Sequence, residues 1–163
     1  MLKKIITAIL IVTALMSAVS CGGKNSFTCA DLTLTFDKGF YEQESEEYDL
    51  LVTNGQATAA LTRLSFVDAM SQNISGAMSA DAFAKYLLLK KGQTAEVFMR
   101  KEYAYCTYRE KTEDGELYCM ATFYRTAYAY VVVMYATAAS YESQYREKFF
   151  EYADSAVMSL EAN

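Results

Sequence analysis

The stretch "ELYCMATFYRTAYAYVVVMYATA", residues 116–138, carries apolar side chains at both odd and even positions, and this constrains the fold more than any other feature. Val, Tyr, Phe and Thr favour strands. A strand that is apolar on one face can lie against water, whereas one that is apolar on both faces has to be covered twice. From Glu96 to Thr137 the chain reads as a meander of antiparallel strands, with Asp114-Gly115 as the first turn and a weaker second turn at Thr126-Ala127. Two-residue turns there pair Cys106 with Phe123, Tyr105 with Tyr124, and Phe123 with Tyr130. One face then carries Ala104, Cys106, Cys119, Ala121 and Phe123, continued by Tyr130, Val132 and Met134. The other carries Tyr103, Tyr105, Tyr118 and Tyr124, continued by Val131, Val133 and Tyr135. Helices are expected on both sides.

Two segments supply them. Ser79 precedes a stripe of Ala80, Phe83, Ala84, Leu87 and Leu88, and Lys90, Lys91 and Gly92 close it, so cap, stripe, cationic end and stop agree on a helix. Near the end, Ser140 is expected to cap a helix whose Tyr141, Tyr145, Phe149, Tyr152, Ala153 and Ala156 fall on one stripe. Upstream, "LTLTF" (32–36) alternates as a strand and stops at Asp37-Lys38-Gly39. Asn54-Gly55 predicts a type I′ hairpin turn, in which both central residues take positive φ, between "YDLLVT" and "QATAALTRLSF". The acidic run "YEQESEEYD" (41–49) is read as a solvated loop, since it lacks the ligand spacing of a calcium loop. The resulting class is α+β: an antiparallel sheet of about six strands flanked by helices on both faces.

The first residues give an address. Lys3 and Lys4 precede the apolar run Ile5 to Met16, which ends in Ser17, Ala18 and Ser20, the order of a secretory signal. The run is short for a spanning helix, which needs about 20 apolar residues. Ala18-Val19-Ser20-Cys21 resembles the lipobox of bacterial lipoproteins, with Ala18 where that group usually has leucine. The resemblance implies a diacylglycerol thioether on Cys21, which becomes the first residue of the mature chain. The expected organisation is a signal peptide over 1–20, a lipidated N-terminus and short tether over 21–27, and one domain over 28–163. The expected location is the outer, extracytoplasmic face of the cell membrane. Cleavage by an ordinary signal peptidase and an uncleaved anchor are the alternatives.

Composition excludes much. The formal charge is −5, and loss of residues 1–20, which hold Lys3 and Lys4 and no acid, leaves the remainder two charges more negative. Nucleic acid is therefore not an expected partner, and attachment to anionic lipid has to come from the acyl chains rather than the protein surface. There is no His, Trp or Pro, hence no histidine-based triad and no imidazole for zinc. No dinucleotide, P-loop or nucleophile-elbow pattern occurs, so neither a cofactor nor a metal is expected. Cys29, Cys106 and Cys119 form no closely spaced pair. In the Asp114-Gly115 register Cys119 lies about 14 Å along the strand from Cys106 at about 3.4 Å per residue, beyond the ~7 Å limit for a disulfide. A longer loop, Thr112 to Gly115, puts Cys119 opposite Tyr108 and still leaves the diagonal too long. Both thiols are expected to pack as small apolar groups.

The order strand, acidic turn, hairpin, helix, meander and C-terminal helix, with "LTLTFDKGFYEQ" and the closing "FFEYADSAVMSL", resembles the Mog1/PsbP-like domains, a group that includes small bacterial lipoproteins. The resemblance implies an antiparallel sheet between helical layers and an accessory or scaffold role, without enzymatic activity. Three functions follow as expectations. The first is a non-enzymatic accessory or binding domain with an unknown protein or small-molecule partner. The second is a binder of sugars or peptides through Tyr103, Tyr105, Tyr118 and Tyr124, whose bodies and hydroxyls suit such ligands; these tyrosines serve equally as core and rim of a twisted sheet. The third is a hydrolase built on paired carboxylates.

Overall fold

The strand "LTLTFD" buries every second residue: Leu32, Leu34 and Phe36 are 0–1% exposed while the threonines between them face outward. In the computed structural model, which describes residues 23–159, this is β2 (Leu32–Asp37), and it pairs on one side with β1 (Lys24–Cys29) and on the other with β10 (Val157–Met158). β1 starts inside the segment read as a tether. Its "KNSFTC" alternates exposed and partly or fully buried residues and lays Phe27 edge-on against Phe36 at 5.9 Å.

The larger sheet has seven strands in the order β3-β4-β5-β9-β8-β7-β6. These are β3 (Tyr41–Gln43), β4 (Leu50–Thr53), β5 (Ala57–Ser65), β6 (Phe98–Arg100), β7 (Tyr103–Thr112), β8 (Gly115–Arg125) and β9 (Ala129–Ala138). β9 is central and nine of its ten residues are buried, as an apolar strand covered on both faces should be. The fold class read from the sequence is the one found.

Neither turn of the meander falls where expected: the first is a two-residue turn at Glu113-Asp114, one residue early, and the second is longer, with Thr126 to Tyr128 between the strands. Lys111 faces Glu116, so Cys106 lies opposite Ala121 and Tyr103 opposite Tyr124. Phe123 faces Val132 in place of Tyr130. Each correction is a shift of two residues, which preserves the side-chain faces, whereas a shift of one would have inverted them. Gly115 (φ +135°) sits at the strand edge in place of the turn centre. The Asn54-Gly55 expectation is also corrected. Gly55 alone of the pair takes positive φ, while the Asn54 side-chain oxygen accepts from the Gln56 and Ala57 amides at 3.0 and 2.8 Å. An Asn that binds its own turn in this way has no need of the left-handed region.

Among the described residues three helices cover the sheet. α1 (Phe66–Ser71) was not foreseen; Ser65 caps it by accepting from the Asp68 amide at 3.0 Å. α2 (Ala80–Lys90) lies on the same face as α1 and buries the stripe expected of it. On the opposite face, α3 (Glu142–Asp154), entered through a single 3-10 turn at Ala139–Tyr141, packs Tyr145, Phe149, Tyr152 and Ala153 together with the β1-β2-β10 sheet. Ser140 is therefore not its cap, and the chain turns into β10 where the helical stripe had been extended to Ala156. The end of α3 ties down edge strand β6: Arg100 donates twice to Asp154, at 3.0 and 2.9 Å, and Tyr103 donates to it at 2.8 Å.

Cys29, Cys106 and Cys119 are buried and free, and Cys119 stands opposite Tyr108. Burial pushes the thiols up, to about 11 for Cys29 and Cys106 and about 12 for Cys119, so they remain protonated and inert.

Candidate functional site

The end of α2 shapes a cleft. Gly92 takes φ +69°. Its amide donates to the Leu89 carbonyl at 3.0 Å, and the Gln93 amide donates to that of Leu88 at 2.9 Å. This is the paired closure of a glycine-terminated helix, and it turns the chain so that Lys91 and Gln93 both border the same cleft.

That cleft has a volume of about 850 Å³, within the roughly 300–1,000 Å³ of ligand pockets. Its floor comes from the sheet face beneath α2: Ala121 and Phe123 of β8, Val132 and Met134 of β9. Phe83, Leu87 and Leu88 of α2 form one wall, with Phe83 stacked on Tyr130 at 4.0 Å. Thr62 and Leu64 of β5, with Ser71 and Gln72 of α1, form another.

The mouth is acidic. Glu46, Glu47, Tyr48 and Asp49 approach from the loop before β4, and Asp68 from α1. The Ser45 hydroxyl accepts from the amides of Glu47 and Tyr48, both at 3.2 Å, and so bends that loop. The Asp49 carboxylate accepts from the Arg63 amide at 2.6 Å, and Asp68 accepts from the Ser65 hydroxyl at 2.6 Å.

Deeper in, the polar groups are fewer and poorly partnered. The Gln93 side-chain oxygen is buried with no hydrogen-bond partner, and the buried Tyr108 hydroxyl has only the Cys119 thiol, a weak acceptor, beside it. Lys91 is half-buried, and desolvation lowers its pKa. Glu110, two residues along β7 from Tyr108, is held above the usual carboxylate range by burial, with no second carboxylate among the causes. Among the described residues no group of three or more Cys, Asp or Glu could hold a metal ion. The arrangement can therefore hold an apolar body and a polar head.

The tyrosines foreseen as a ligand face lie elsewhere. Tyr103, Tyr118 and Tyr124 are 0–4% exposed and belong to the core beneath α3. Tyr124 donates to the Ala153 carbonyl at 3.0 Å, and Tyr118 stacks on Phe149 at 6.1 Å. Tyr105 is half-buried against Phe98 and Phe150. The face is too apolar to leave to water, and α3 with the small sheet closes it, so these rings serve as core and rim. Cys21 and Gly22 lie outside the described residues, as does the signal segment. No helix among the described residues is long and apolar enough to cross a membrane.

Sequence reasoning missed Lys91, Gln93 and Tyr108. "LLLKKGQ" signalled only a helix end, and Tyr108 was one residue of a strand. The available signal was the glycine turn itself, which folds the residues on either side of it toward one place.

No family model matches the chain, and no curated protein matches it. Solved structures do. The solution structure of cyanobacterial PsbP from Synechocystis superposes with a TM-score of 0.57 at 12% identity, over 90% of this chain and 98% of that one. A crystal structure from Bacteroides thetaiotaomicron gives a TM-score of 0.54 at 11% identity, over 80% of this chain and 46% of that one. At such identities the likeness concerns the path of the backbone, and by that measure this chain has the PsbP-like fold.

Proposed function

We propose that this chain is an extracytoplasmic lipoprotein whose PsbP-like domain, held at the membrane through lipid on Cys21, works by binding a partner and not by catalysis. The observation that carries the binding reading is the cleft between α2 and the sheet, with its apolar floor and poorly partnered polar groups. The address is supported by the Lys3-Lys4 charge, the Ile5 to Met16 run and the Ala18 to Cys21 tetrad. Two acyl chains give stable attachment where one gives only marginal binding.

A non-catalytic role fits the chemistry of the side chains. The chain has no histidine, its buried thiols are held protonated, and the raised carboxyl of Glu110 has no carboxylate counterpart acting on it. Paired-carboxylate hydrolysis needs one acid raised and a second one ionised beside it.

The test is photo-crosslinking in the native envelope. A benzoylphenylalanine at Gln72, on the cleft rim, should yield a discrete adduct by intact mass, and the same group at exposed Glu147 on α3 should not. Adducts from Glu147 alone would move the binding surface to the other side of the sheet.

A further inference from the structure

The cleft's chemistry also says what kind of head group it takes, an inference that rests on the binding reading above. We propose that it binds a single-chain amphiphile with a carboxylate head, the hydrocarbon lying on the floor beneath α2 and the carboxylate meeting Lys91 and Tyr108.

The floor fixes the tail. Phe83, Leu87, Leu88, Phe123, Val132 and Met134 present a continuous aliphatic and aromatic surface with no charged side chain among them. At about 850 Å³ the cleft is large enough to hold a hydrocarbon chain.

The head is fixed by what is left poorly paired. Lys91 makes no ion pair among the described residues, and it is half-buried at the helix end. The Tyr108 hydroxyl is a buried donor whose neighbouring protein acceptor is the Cys119 thiol, a weak one that a carboxylate would outcompete. Gln93 lines the same cleft with its side-chain oxygen unpartnered, and rotating that amide presents its N–H groups instead. A carboxylate accepts from an ammonium, a hydroxyl and an amide together, and such charge-assisted bonds are the stronger kind.

The rival occupant is a cationic amphiphile drawn to Glu46, Glu47, Asp49 and Asp68. Glu46, Glu47, Asp49 and Asp68 are exposed, where water and salt screen them. Asp49 and Asp68 also already accept hydrogen bonds from the protein. Lys91, partly removed from water, interacts more strongly with a charge placed beside it. The acidic mouth therefore sets the entrance, and Lys91 selects the head.

The experiment is isothermal titration of the full chain in phospholipid nanodiscs with sodium decanoate, subtracting empty nanodiscs, and with decylammonium as the matched cation. Decanoate should bind saturably, one per chain, and decylammonium at least about tenfold more weakly. Lys91→Gln should weaken decanoate by about tenfold or more, whereas Lys85→Gln, an exposed lysine on the same helix, should leave it unchanged. Decylammonium binding as tightly as decanoate, or Lys91→Gln without effect, would overturn the assignment of the head. No saturable uptake of decanoate alongside a positive Gln72 cross-link would overturn the ligand class and leave the binding reading standing. Failure of both experiments would remove the cleft as a site.

Discussion

Truncating Leu87 to Ala probes whether α2 is both core and cleft wall. The change deletes three carbons, about 2.4 kcal/mol of transfer free energy at about 0.8 kcal/mol per buried carbon. A cavity adds about 24 cal/mol per Å³ where the vacated space stays sealed. Leu87 is 8% exposed and lines the cleft, so its vacated volume merges with open space and the cavity contribution is small. The expected cost is about 2–3 kcal/mol, the low end for a core leucine. Leu61, 0% exposed in the sealed core on the other face, should cost about 4 kcal/mol when truncated to Ala. Lys85→Ala breaks only the exposed Asp81 pair at 3.1 Å and should cost about 0.3–0.5 kcal/mol. Urea unfolding followed by far-ultraviolet circular dichroism measures all three, since the chain has no tryptophan to report by fluorescence. Equal costs at Leu87 and Leu61, or a Lys85→Ala cost matching that of Leu87→Ala, would refute the placement of the helix.

Two further outcomes follow from the packing. Hydrogen bonds from Arg100, with help from Tyr103 and Lys101, hold the Asp154 carboxyl well below the usual range against the opposing effect of burial. A depressed carboxylate contributes stability that is present above its unfolded pKa of about 3.9 and is lost as pH falls below it. Asp154→Asn should therefore flatten the acid limb of the stability–pH profile, and an unchanged limb would exclude this tie as its source. Non-reducing peptide mapping should recover no 106–119 cross-link, and all three described cysteines should resist alkylation until the chain is unfolded; rapid native labelling of Cys106 would contradict its burial.

How much of this was legible can be judged residue by residue. The faces of the meander were readable because alternation survives a slip of two, so Cys106 and Phe123 shared a face even in the wrong register. The turns were misplaced because Asp-Gly and Asn-Gly each have more than one use. Gly115 follows its turn, and Asn54 spends its side chain on backbone amides in place of its φ. β1 was illegible because its exposed threonine and serine are held through cross-strand partners, Ser26 with Thr35 at 3.0 Å and Thr28 with Thr33 at 2.8 Å, and a partner is invisible in a local pattern. The tyrosine face looked available for the same reason: nothing near Tyr118 or Tyr124 in sequence announces that Phe149 and Ala153 will cover them. The cleft depends on α2 ending beside the 44–49 loop, a juxtaposition of distant segments that periodicity does not encode.

The lipid on Cys21 decides where the domain works. Mass spectrometry of the native protein's N-terminal peptide tests it directly. The expected result is a peptide beginning at Cys21 and carrying a diacylglycerol thioether, with residues 1–20 gone and Cys21→Ala accumulating uncleaved precursor or releasing soluble protein. An unmodified N-terminus downstream of Cys21, or a mature chain that retains residues 1–20, would contradict the claim that this domain is a lipoprotein.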